Sequence, residues 1–170
     1  DECVTFHSEI GGARGVARAL AIDGDRGLDG ASGGNVWIGM HDAEEVIVLD
    51  GLTLAERARV PTPGFQPYAA TFDAWGTLWL LDRDGLLARI DRGATPLEAV
   101  ILEAPLPCFL FYSLAVDDDG RVLLTGFSCD DAVRYDPIAE RWDVIPTEAS
   151  PRGIAWRAPH AWMSHTGGLL

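Results

Sequence analysis

The chain has 170 residues, 48% of them hydrophobic, and carries 26 acidic against 13 basic side chains for a formal net charge of −13. That composition can fill a globular core, and the acidic excess repels phosphate backbones and anionic lipids, which argues against nucleic acid and membrane surfaces as partners. No apolar run approaches the roughly 20 residues that cross a bilayer. The opening DECVTF has neither the basic n-region nor the apolar h-region of a signal peptide, so the chain is read as cytosolic or as one whose export signal has been removed. All 13 basic residues are Arg, which excludes Schiff-base and P-loop lysine chemistry within the chain.

In chain order, VTFHSEI (4–10) reads as a strand broken by GGAR. RALAID ends at Asp23, a Gly-rich insert GDRGLDGASGG follows, and NVWIGM, EVIVLD and ERARV then run as short strands up to the link PTPG. The same grammar returns as YAATFD, TLWLLD, LLARID and EAVIL before APLP. It returns again as YSLAVD, RVLLTGF, AVRYD and RWDVI before PTEASP. A further unit, RGIAW and HAWMSH, has two strands.

Laid over one another, the units agree column by column. Asp23, Asp73 and Asp117 close the first strand, Trp37, Trp79, Leu123 and Trp162 occupy the second, and Asp50, Asp91 and Asp136 close the third. A step of about 40 residues between equivalent positions is that of a four-stranded propeller blade. The expected fold is therefore all-β, a β-propeller of four-stranded antiparallel blades. Blades are expected at about 14–60, 67–102 and 111–145, with a partial blade at 151–170 and residues 4–10 as the outer strand of a preceding one. A β-sandwich also places strands every 8 to 12 residues, but it does not generate matching columns. The chain reads as a segment of a larger propeller, whose remaining blades would be its first partners.

SPRGIAW, GNVW, LLARID and the link PTPG resemble the blade pattern of the streptogramin lyase (virginiamycin B lyase) family and of the related NHL and SMP-30-like propellers. The resemblance covers nearly the whole chain, and most of it concerns blade packing. It implies a first strand lining a central channel, with ligands met where the link before that strand and the loop after the second strand share a face. Arg18, Tyr68, Tyr112 and Arg152 open the inner strands and are expected to ring this mouth. Asp82 and His165 are expected beside them, in the loops after the second strands. Phenols, guanidinium groups and one carboxylate suit a polar or anionic small molecule, and a protein partner could use the same face. A channel mouth also tolerates polar residues with no ligand at all.

The lyase family implies magnesium and catalytic His and Glu residues on this face, acting as a carbon–oxygen lyase on a cyclic lactone. In this chain the Glu column offers only Asp82 and His165, and the other column offers Tyr and Arg where His is wanted. The leading reading is thus a non-catalytic, cofactor-free binding module. A magnesium-dependent lyase with catalytic residues outside the segment is the alternative, and a purely structural repeat module is the third reading.

Other constellations carry less. His41, Asp42, Glu44 and Glu45 read as a solvated turn before a divalent-metal site. Asp23, Asp25 and Asp29 begin like a calcium loop, but Gly27 breaks the pattern and no Glu closes it. His160 and His165 stand on opposite faces of one strand, and His7 reads as structural. Cys108 and Cys129 flank the inner hairpin of the third blade closely enough for a disulfide, with two free thiols as the alternative. A bridge would stabilise by roughly 3 kcal/mol and would place the protein in the secreted, periplasmic or cell-surface space. Cys3 is left over. The core is expected from Trp37, Trp79, Leu123 and Trp162 between blades, with Leu20, Phe72, Val116 and Ile154 on the inner strands.

Overall fold

The computed structural model describes residues 10, 15–24, 34–105, 110–147, 149–165 and 168–169. Among them lie fifteen strands and no helix. The first sheet holds β1 (Ala17–Ile22), β2 (Asn35–Met40), β3 (Glu45–Asp50) and β4 (Glu56–Pro61). The second holds β5 (Ala69–Phe72), β6 (Thr77–Leu81), β7 (Leu86–Asp91) and β8 (Ala99–Glu103). The third holds β9 (Phe111–Val116), β10 (Val122–Gly126), β11 (Asp131–Asp136) and β12 (Arg141–Pro146). A last sheet holds β13 (Pro151–Arg157), β14 (His160–His165) and the short β15 (Gly168–Leu169), so this unit has a third strand where the sequence reading stopped at two. The strand expected at 4–10, apart from Ile10, and residues 25–33 of the insert lie outside the described residues.

Each strand pairs antiparallel with its sequence neighbour, as hairpin-connected strands do. The inner strands stand side by side in the order β1, β5, β9, β13, and the sheets are blades around that row. The middle strands β2, β6 and β10 are buried almost throughout because a neighbouring blade covers them. The outermost strands β4, β8 and β12 are mostly half-buried or exposed, with Val60 on β4 the buried exception and Arg and Glu on the same strand.

One turn recurs. In DAWG (73–76), DRDG (82–85) and DDDG (117–120) the Asp Oδ1 accepts the backbone N–H groups two and four residues on. The distances are 2.9 Å for both Trp75 and Thr77, 2.9 and 2.8 Å for Asp84 and Leu86, and 2.9 Å for both Asp119 and Arg121. The closing glycines, Gly76, Gly85 and Gly120, adopt φ of 92°, 95° and 81°, a region costly for any side chain.

The Asp and Trp columns meet physically. Trp37 Nε1 donates to Asp23 Oδ2 at 3.2 Å, and Trp79 Nε1 donates to Asp73 Oδ2 at 3.0 Å. Each indole thus buries its ring while its one donor stays satisfied. In the third blade Leu123 replaces Trp, and the Arg121 Nε at 3.2 Å takes the second oxygen of Asp117 instead.

Trp37 packs with Val46, Val48, Phe65, Leu78, Leu80 and Ile90, joining the first blade to the second. Trp79 packs with Leu81, Leu87, Phe111, Leu124, Val133 and Tyr135, joining the second to the third. Two expected core positions are corrected. Leu20 is 61% exposed, because β1 turns Ala19 and Ala21 toward its neighbour and Leu20 to the other face. Trp162 is 48% exposed, because among the described residues nothing covers its face of β14. The first two blades approach closely at Gly39, where an added Cβ would sit 2.5 Å from Pro67 Cβ and 2.7 Å from Ala19 Cβ. Gly39→Ala is expected to cost about 1–3 kcal/mol in a urea melt through overpacking of this joint, and an unchanged midpoint would show that the joint yields freely.

Candidate functional site

The mouth is built where the sheets are least regular. β1 carries one extra residue between Ala17 and Ala19 against β2, β9 one between Phe111 and Leu114 against β10, and β13 one between Pro151 and Ile154 against β14. A bulge bends the strand and re-aims its side chains, and these three segments contain Arg18, Tyr112 and Arg152. Thr125, fully buried on β10, donates its hydroxyl to the Arg152 carbonyl at 2.7 Å and lies 3.3 Å from the Ser113 carbonyl, tying two of the bulges together.

Four of the sequence-selected residues are brought together here. The Arg18 guanidinium carbon lies 5.5 Å from the Tyr68 ring centroid and that of Arg152 lies 5.6 Å from Tyr112. The two tyrosines meet edge to face at 5.8 Å. Between them comes a residue that the sequence reading missed, Arg83, at 5.3 Å from Tyr68 and 5.5 Å from Tyr112. Phe127 completes the row, 4.4 Å from the Arg152 guanidinium and 5.3 Å from Tyr112. Cations and rings therefore alternate as Arg18, Tyr68, Arg83, Tyr112, Arg152, Phe127. Each such contact contributes about 0.5–1 kcal/mol where partly exposed.

The two remaining sequence-selected residues lie at the C-terminal ends of β6 and β14. Asp82 directs Oδ1 into its own DRDG turn and is only 4% exposed. Burial pushes its carboxyl up to about 6, against the pull of the turn N–H groups of Leu86 and Asp84. His165 is half-buried and pairs with Pro151 across the β13–β14 ladder. Cys129, the one cysteine among the described residues, is disulfide-bonded; Cys108 and Cys3 lie outside those residues.

Among the described residues no group of three or more His, Cys, Asp or Glu is placed to hold a metal ion. In the loop at 41–45, His41 Nδ1 lies 2.7 Å from Asp42, Glu44 accepts the Gly64 N–H at 2.7 Å, and Glu45 pairs with Arg59 at 2.7 Å. Magnesium, implied by the lyase resemblance, asks for several hard oxygen ligands. The charged row at this mouth is made of three guanidinium groups and Asp82 Oδ1 serves its turn, so the residues described here do not fit that ion. A cleft of about 640 Å³ lies at the other end of the blades, lined by Trp75, Asp91, Pro96, Val100 and Ile138. Among its polar groups, Asp73 is committed to the Trp79 indole and its own turn.

Fold and site define the class: a β-propeller module with a row of arginines and aromatic rings along one end of its inner strands, and no helix to cross a membrane among the described residues. No protein-family model and no curated protein sequence matches the chain. Solved structures do match, and they give it a virginiamycin B lyase-like propeller fold. A streptogramin B lyase is similar with a TM-score of 0.70 at 13% identity, over 91% of this chain and 53% of that one. A catalytically inactive virginiamycin B lyase from Staphylococcus aureus, with quinupristin, is similar with a TM-score of 0.73 at 13% identity, over 95% and 56%. The Cps50 (Swd1) β-propeller domain of Myceliophteria thermophila has a TM-score of 0.73 at 10% identity, over 92% and 50%. The chain thus spans about half the length of these structures.

Proposed function

We propose that the chain is a non-catalytic β-propeller binding module that receives a ligand or partner at its channel mouth and works outside the cytoplasm. The observation that carries this reading is the row of arginines and aromatic rings, drawn from all four sheets and their links onto one face. A few polar groups converging on one face fix the orientation of a ligand at recognition sites. The disulfide at Cys129 supports an oxidising compartment. The test is a ligand and protein library read by aromatic NMR shifts. Binding is expected to move Tyr68 and Tyr112 and to be lost in Tyr112→Ala. Hits that move only Trp75, at the opposite end, would overturn the assignment of the face.

A second reading, a lyase whose catalytic residues lie in blades beyond this segment, is favoured by the likeness to the two lyase structures and by the half-length match. It predicts magnesium-dependent ring opening of a cyclic lactone by the longer protein, and no turnover there would remove it.

A further inference from the structure

We propose that the channel mouth binds a small polyanion, a molecule bearing two or three carboxylate or phosphate groups; this rests on the binding-face reading above and names its ligand class. The chain has 26 acidic residues for its 13 arginines, and Arg57, Arg59, Arg121, Arg134 and Arg141 each pair with a carboxylate. Arg18, Arg83 and Arg152 do not: among the described residues their guanidinium groups meet aromatic rings and no acid. Arg83 Nε is buried with no hydrogen-bond partner.

The geometry gives this a chemical meaning. A guanidinium stacks through its face and donates through its edge. The ring contacts therefore leave the terminal N–H groups of these arginines without a carboxylate partner, as capture of carboxylate or phosphate requires. Arg83, held between Tyr68 and Tyr112, is the central donor. Asp82, next to it in sequence, turns Oδ1 into its own loop. Three like charges gathered at one mouth repel one another, and an anion relieves that repulsion. The net charge of −13 disfavours a large acidic partner by long-range repulsion, whereas a small anion meets mainly the local arginines.

Calorimetric titration at pH 7.5 with propane-1,2,3-tricarboxylate, pyrophosphate and, as the neutral control, glycerol tests the proposal. Saturable binding is expected for at least one anion and none for glycerol; the preferred anion assigns carboxylate or phosphate. Arg83→Met is expected to weaken the Kd at least tenfold. Arg83→Lys, which keeps the charge and loses the planar fork, should weaken it at least threefold, guarding against a misfolded Met variant. Arg157→Met, at the far end of β13, should leave it unchanged. Failure of both anions, or an Arg83→Met Kd equal to the parent's, would overturn the proposal, as would tighter binding of a hexaglutamate peptide than of either small anion. If both anions fail while a library ligand still moves Tyr68 and Tyr112, the anion class falls and the binding face stands. If nothing moves them, both fall.

Discussion

Trp79→Ala is expected to lower the unfolding free energy by about 3–5 kcal/mol, a large share of what a domain of this size has. The indole is 1% exposed and lies in the cluster that joins the second and third blades. It meets Tyr135 edge to face at 6.0 Å, and Tyr135 in turn packs on Trp142 at 4.7 Å. Truncation would leave a cavity between two sheets that their hairpins hold apart, so collapse offsets little of the loss. It would also strand Asp73 Oδ2, whose donor is the indole N–H. Trp162→Ala provides the contrast: with 48% of its surface exposed, its loss is expected to cost about 1 kcal/mol or less. Urea melts of both variants decide the matter, and equal losses would show that the blade register is misread.

Asp82→Asn is expected to stabilise the protein at pH 7.5, by about 1–2 kcal/mol once partial solvent screening at the turn is allowed for. Both turn N–H groups bond to Oδ1, an acceptor that asparagine keeps, so the change removes a buried charge without removing the turn. The folded carboxyl is raised from 3.8 to about 6, so the folded state holds the proton more tightly than the unfolded chain. Its contribution is therefore fully present below about pH 4 and is lost as pH rises to about 6. The difference in melting temperature between variant and parent should accordingly be small at pH 4 and grow to a plateau above pH 6.5. A difference independent of pH would mean that Asp82 ionises as an ordinary surface carboxylate.

Asp82 also marks how far the sequence could be read. Its column puts it in the loop after the second strand, and it does follow β6. Yet DRDG repeats the pattern of DAWG and DDDG, and that local signal fixes where the carboxylate points. Arg83 left no such trace. It belongs to no column, and its importance comes from Tyr68 and Tyr112, which belong to two different blades. Leu20 and Trp162 were misjudged for a related reason, since alternation divides a strand into two faces and leaves open which face a neighbour covers.

The sequence by itself determined the strands, the turns and the propeller repeat, because these depend on short-range quantities: alternation with period two, Asp and Gly at fixed offsets in a turn, and Trp recurring at one blade length. The tertiary structure decided the rest of the mouth. The columns single out Arg18, Tyr68, Tyr112 and Arg152, but Arg83 and Phe127 join them only when four inner strands stand in a row and three of them bulge. A guanidinium's place over a ring is set by packing between elements far apart in the chain, and no local pattern records it.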